Sequence, residues 1–123
     1  MPKKTTLYHN PRCSKSRAAL QLLEHQEMDF DVVDYQKTPP NAATLTKILN
    51  LLDLKAHKLM RQGEAQYKGL KADIENYSDA ELIDLMVKYP ILIERPLLVT
   101  ENDAAIGRPI DNIIELLDRH SIR

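Results

Sequence analysis

The chain has 123 residues, enough for one compact core that buries roughly two-thirds of its unfolded surface. Its 17 Lys and Arg against 18 Asp and Glu leave a formal charge of -1, so no global field draws it to nucleic acid or to an anionic membrane, and any anion binding must be local. A single cysteine excludes an internal disulfide, no apolar run has the length of a membrane span, and the opening residues lack a signal-peptide pattern, so the reducing cytoplasm is the expected compartment.

Residues 5–9, TTLYH, predict a first strand, because threonine, leucine and tyrosine favour a pleated surface and Asn10-Pro11 then breaks the run. From Ser14 to about Gln26, Ala18, Ala19, Leu22 and Leu23 recur at helical spacing, which puts Cys13 at or just before a helix N-terminus. A second strand is predicted at 30–35, ended by Thr38-Pro39-Pro40. Strand, helix and strand in that order form a βαβ unit with parallel pairing.

The middle of the chain has a different character. Leu45, Ile48, Leu49 and Leu52 form one helical face after Asn41. Leu82, Leu85, Met86 and Tyr89 form another after Ser78, where Glu81 completes a capping-box pattern and Pro90 stops the run. Residues 60–70 carry two of the three glycines and little periodicity, so they read as loop or irregular helix. Residues 97–100 and 104–107 flank the polar turn 101–103 and predict a hairpin. Ile110, Ile113, Ile114 and Leu117 mark a last helix, with Pro109 near its first turn. The expectation is a single α/β domain over 1–123, βαβ followed by ββα, with a helical insertion at about 41–90.

Cys13 is the residue in this layout with the most chemistry. A free thiol with a pKa near 8.5 is only about 3% ionised at pH 7, and a fall of two units would make it mostly thiolate. The unpaired N–H groups and positive dipole end of the helix after Ser14 favour an anion at position 13, and Arg12, Lys15, Arg17 and His9 lie close in sequence to add positive charge. A lone cysteine is more commonly a small buried apolar residue. This one, however, stands at a strand-to-helix turn beside a proline and between polar and charged neighbours, which favours a functional thiol.

Spacing then narrows the chemistry. A phosphatase loop needs an arginine six positions after its cysteine, and position 19 is alanine. A dithiol site needs a cysteine at position 16, and this chain has Ser16, so a mixed disulfide on Cys13 requires a thiol from another molecule. His9, His25, His57 and His120 show no zinc-ligand spacing with the cysteine.

The segments YHNPRCSKSR at 8–17, LMRQGE at 59–64, YPILIERPLLV at 89–99 and IGRPID at 106–111 together resemble the arsenate reductase family linked to glutathione and glutaredoxin, in a shorter form lacking the C-terminal extension of some members. The resemblance runs from about Leu7 to Leu117. It implies a thioredoxin-like fold with an inserted helical segment. It also implies that Cys13 is the nucleophile, that His9 helps keep it ionised, that Arg61, Arg95 and Arg108 gather at the oxyanion site, and that Arg95-Pro96 is a cis bond. The implied partners are arsenate or a similar oxyanion, glutathione as co-substrate and glutaredoxin, with no bound metal or cofactor. Two alternatives stand beside it: a glutaredoxin-like thiol oxidoreductase acting on glutathione mixed disulfides, and a non-catalytic RNA polymerase-binding regulator of the Spx type. Ser16 removes the Cys-x-x-Cys switch that such regulators typically carry.

Overall fold

A computed structural model of the chain describes residues 5–26, 28–61, 63–74 and 76–119; His120 lies outside them. The chain divides into two compact units, Met1–Thr38 with Arg95–Arg123, and Pro39–Glu94.

The first unit contains strand β1 (Thr6–His9), helix α1 (Ser14–His25) and strand β2 (Asp31–Asp34), then, after the second unit, strands β3 (Leu97–Val99) and β4 (Ala104–Ile106) and helix α5 (Asp111–Arg119). The sheet order is β2-β1-β3-β4, with β1 and β2 parallel and β1–β3 and β3–β4 antiparallel. This is the thioredoxin-like arrangement expected of βαβ followed by ββα. The register aligns Leu7 with Leu98 and Leu98 with Ala105, so the pleat puts all three on one face. Ala19 and Leu23 of α1 and Ile113, Leu116 and Leu117 of α5 cover that face, with Leu20, Leu22, Met28 and Phe30 packed around them. Leu98 has no exposed surface, and cutting it to alanine would cost about 2–5 kcal/mol.

The second unit holds helices α2 (Ala42–Leu52), α3 (Ala65–Ile74) and α4 (Asp79–Lys88), together with 3-10 turns at Ala56–Leu59 and Pro90–Leu92. Asn41 caps α2 by accepting the Thr44 N–H at 2.8 Å, and Asp53 ends it in the left-handed region, where a short polar side chain is tolerated. The capping box of α4 forms as expected: Ser78 Oγ accepts from Glu81 N–H at 3.2 Å and Glu81 Oε1 accepts from Ser78 N–H at 3.0 Å. Leu45, Ile48 and Leu49 of α2 and Leu82, Ile83 and Met86 of α4 are buried where the two helices pack. A bridge between Met60 and Ile93 ties the two 3-10 segments together.

Helix α3 is more regular than the sequence expectation, which read residues 60–70 as loop or irregular helix. Gly69 and a weakly amphipathic sequence hide it, but Tyr67 and Ile74, seven residues apart and both buried, give it a core-facing side. Burial of that side offsets the poor helix propensity of glycine.

Candidate active site

The site is built where β1 ends. Its connection through α1 leads to β2 on one side, while β3 pairs with it on the other, so the carboxyl end of β1 is a switch point of the sheet, where α/β folds open a crevice. The turn leaving β1 is held by Asn10: its carbonyl accepts the Cys13 N–H at 3.0 Å and its Oδ1 accepts the Arg12 N–H at 3.0 Å. These bonds set Cys13 as the extended N-cap residue of α1, with its sulfur partly exposed.

Two arginines from the other half of the sheet unit reach the sulfur. Arg108, just past β4, donates from Nη2 to Cys13 Sγ at 3.1 Å and from Nε to the Arg95 carbonyl at 2.7 Å. Arg95, just before β3, is only 9% exposed and its side chain also favours the ionised form of the sulfur. A guanidinium buried to that extent needs an anion close by.

Burial of the sulfur is the largest single influence on Cys13 and opposes ionisation. The backbone N–H groups of Ser16 and Lys15, the Arg95 side chain and the charge of Arg108 together outweigh it, and the thiol ionises below its ordinary value. No capping hydrogen bond to the sulfur forms in the strict sense, so the amides act mainly as aligned dipoles. The cationic charge therefore comes from residues far along the chain. The neighbouring side chains of Arg12 and Lys15 are exposed, and Arg17 Nη1 donates to the Pro11 carbonyl at 2.9 Å.

His9 occupies a different place from the one that sequence proximity implies. The pleat of β1 puts it on the same side as Leu7, beneath α1, where Nδ1 lies 2.7 Å from Ser16 Oγ; that hydroxyl also accepts the Asn10 N–H at 2.9 Å. Burial, the largest cause, lowers the His9 pKa, and Arg17 adds to this; Asp34 and Ser16 oppose it less strongly. His9 is thus a neutral ring at pH 7, and it meets the cysteine loop through Ser16 rather than as a neighbouring cation. Ser16, on the buried stripe of α1 with Ala19 and Leu23, was legible only as a missing second cysteine.

Arg61 belongs to the helical unit. Its N–H donates to the Leu92 carbonyl at 2.6 Å, its Nε lies 3.3 Å from Glu94 Oε1, and its Nη1 lies 2.9 Å from Glu64 Oε1 as an ion pair without an aligned hydrogen bond. Of the sequence-selected residues, the sheet unit thus brings together Cys13, Arg95 and Arg108, and places His9 one hydrogen bond away through Ser16.

Gly107, inside the IGRPID segment but given no role by it, and Asn112, just beyond it, support the second of these arginines. A Cβ at Gly107 would lie 2.7 Å from Pro96 Cγ and 2.7 Å from Ile113 Cδ1, and the Gly107 N–H donates to the Pro96 carbonyl at 2.8 Å. Asn112 Nδ2 donates to the carbonyls of Ile106 at 2.9 Å and Arg108 at 3.4 Å. Together they hold Arg108 beside the Arg95 carbonyl. The Arg95-Pro96 bond is cis, and so is Arg108-Pro109. Among the described residues no group of three His, Cys, Asp or Glu side chains is placed to hold a metal ion, and no helix is long and apolar enough to cross a membrane.

Comparison with known proteins gives a consistent set of relatives. The ArsC family model matches residues 8–116. The uncharacterized protein YfgD of Escherichia coli (strain K12) is 44% identical over 118 residues, covering 95% of this chain and 99% of that protein. An arsenate reductase of Neisseria meningitidis (strain MC58) is 43% identical over 112 residues, covering 90% and 96%. The solved structure of an arsenate reductase from Vibrio cholerae superposes with a TM-score of 0.87 at 37% identity, over 95% of this chain and 100% of that one.

Proposed function

Since the chain belongs to the ArsC family, we propose that it is a cytoplasmic arsenate reductase working through a Cys13 adduct resolved by glutathione and glutaredoxin. The observation that carries this reading is the contact of the Arg108 guanidinium with the Cys13 sulfur at 3.1 Å, with Arg95 beside it. A thiolate is the nucleophile that arsenic(V) accepts, and guanidinium groups neutralise the oxygens of an incoming tetrahedral oxyanion. The names of the relatives support arsenate as that oxyanion. Arg61 is assigned to the same anion on the family resemblance.

In the proposed sequence the Cys13 thiolate attacks arsenic, a sulfur–arsenic bond forms, and one arsenate oxygen leaves as water. A glutathione thiol then attacks the Cys13 sulfur of the adduct, its proton passes to an arsenic oxygen, and the sulfur–arsenic bond breaks. Two electrons pass from the two sulfurs to arsenic, which departs as arsenite, leaving Cys13 and glutathione as a mixed disulfide. Ser16 offers no resolving thiol, so glutaredoxin reduces that disulfide and returns Cys13 to its starting state. Throughout, the protein's own residues do two things: Arg95 and Arg108 hold negative charge at the sulfur, and the Asn10 turn fixes the sulfur at the helix terminus.

The test is arsenate-dependent NADPH consumption in a mixture of glutathione, glutathione reductase and glutaredoxin, comparing the protein with Cys13→Ser. The proposal expects turnover only with the thiol present. Equal background rates from the two proteins would remove it.

A further inference from the structure

The turn that leads into Cys13 borders a second feature that the oxyanion chemistry leaves unused. A cleft of about 220 Å³ opens at the carboxyl ends of β1 and β2, walled by Asn10, Pro11 and Arg12 on one side and by Asp34, Gln36 and Lys37 on the other. Arg12 immediately precedes Cys13, and the Asn10 bonds that fix the cysteine also fix this wall. The opposite wall is equally set by its backbone. Asp34 accepts the Gln36 N–H on Oδ1 at 3.3 Å, and its carbonyl accepts the N–H groups of Lys37 at 3.0 Å and Thr38 at 2.9 Å.

The charges in this cleft select the class of ligand. Arg12 and Lys37, both exposed, offer two cations to a carboxylate; Asp34, half-buried and near enough to His9 to act on its charge, offers one anion to an ammonium. A simple oxyanion has no use for the carboxylate, and an apolar ligand has no use for any of the three. An α-amino acid group uses all of them, its carboxylate toward the cations and its ammonium toward Asp34. The cleft is smaller than the range of about 300–1,000 Å³ typical of pockets that enclose a whole small ligand, so it holds one end of a longer one. Arg12 of the cleft wall is the chain neighbour of Cys13, so a ligand longer than the cleft has residue 13 within its reach.

We infer that this cleft is the docking site for the γ-glutamyl end of glutathione, whose sulfur is thereby delivered to Cys13. The inference rests on the glutathione-linked reading of the site and adds the residues that recognise the tripeptide. Bound this way, the thiol-bearing middle of the tripeptide faces the cysteine, while the oxyanion stays on the Arg95 and Arg108 side. Arg12 and Lys37 are then positioning residues for the co-substrate.

The test uses disulfide exchange, which needs no arsenate. The Cys13 thiolate attacks one sulfur of a disulfide, a mixed disulfide forms on Cys13, and the other half leaves as a thiolate. Rates of adduct formation are followed by intact-protein mass with oxidised glutathione and, separately, with the uncharged 2-hydroxyethyl disulfide. The comparison is between the protein, Lys37→Gln and Lys37→Glu. The inference expects the ratio of the glutathione rate to the uncharged rate to fall in that order, by about tenfold for the reversal of charge. An unchanged ratio, or two rates that fall together, overturns it. Arsenate-dependent NADPH consumption by the unmodified protein, with glutathione, glutathione reductase and glutaredoxin, is measured in parallel. Its absence would count against the reductase reading while leaving the exchange ratio to decide the cleft.

Discussion

Arg108 reaches Cys13 across 95 residues of chain, with Nη2 at 3.1 Å from Sγ while Nε is held at 2.7 Å by the carbonyl of Arg95. One guanidinium thus spans the Cys13 sulfur and the backbone of the second arginine. Anchoring one nitrogen restricts the side chain, so less freedom is lost when another binds the thiolate. Replacing Arg108 with alanine is expected to raise the Cys13 pKa and to slow arsenate turnover by about 10²–10³-fold. The pH dependence of iodoacetamide alkylation reads the first effect and steady-state kinetics the second; an unmoved alkylation midpoint would show that the contact does not stabilise the anion.

The lowered thiol pKa also has a thermodynamic sign. In the folded protein Cys13 gives up its proton at a lower pH than in the unfolded chain, so the folded state binds fewer protons between those two values. Its stabilising contribution is complete above the unfolded value and fades as pH falls through the folded one. Urea unfolding should therefore show the protein gaining stability relative to Cys13→Ser as pH rises through that interval. A constant difference would mean the two states ionise alike.

Ser16 and His9 act as a buried pair. Ser16→Ala leaves the Asn10 N–H and His9 Nδ1 without the oxygen that now lies within 2.9 and 2.7 Å, and should cost about 1–3 kcal/mol of stability. Cys13 alkylation at pH 7 should slow as well, because the turn that presents the sulfur shares that oxygen. Stability unchanged in denaturant titration would deny the hydroxyl its structural role.

His9 adds a pH dependence at the acid end. Its pKa is lowered chiefly by burial, so protonation is easier in the unfolded chain, and the native state loses stability as pH drops below the ordinary value of 6.5. A His9→Gln variant should lose less stability than the parent between pH 7.5 and 5.5, whatever its absolute stability. Parallel pH curves for the two proteins would exclude this ionisation as the source.

Gly107 tests how the second arginine is placed. A methyl group there would meet Pro96 and Ile113 at 2.7 Å, so Gly107→Ala must push the Pro96 segment away from β4. Overpacking of this kind should cost about 1–3 kcal/mol, and displacement of Arg95 should raise the thiol pKa at the same time. Loss of stability with an unaltered alkylation profile would separate the packing from the site.

Much of the sheet unit was legible because its signals are local. The strand-favouring residues around Leu7, the spacing of Ala19 and Leu23, and the turn residues between β3 and β4 each act over a few consecutive residues. The place of the thiol at a helix start, outside the apolar core, was equally legible from Pro11, Arg12 and Ser14 around it. Helix α3 was not, because Tyr67 and Ile74 gain their burial from partners that its own glycine-containing sequence does not announce. Nor was the neutral state of His9, which depends on what the pleat of β1 places beneath α1.

By itself the sequence determined where a thiol stands at the start of a helix, and which strands and helices surround it, since hydrophobic spacing and turn chemistry act over a handful of neighbours. The family resemblance named candidate arginines, and only the tertiary structure shows which cations lie at that thiol. Charge acts through space, and the antiparallel return of β3 and β4 beside β1 brings Arg95 and Arg108 to the sulfur while the adjacent Arg12 and Lys15 extend into solvent.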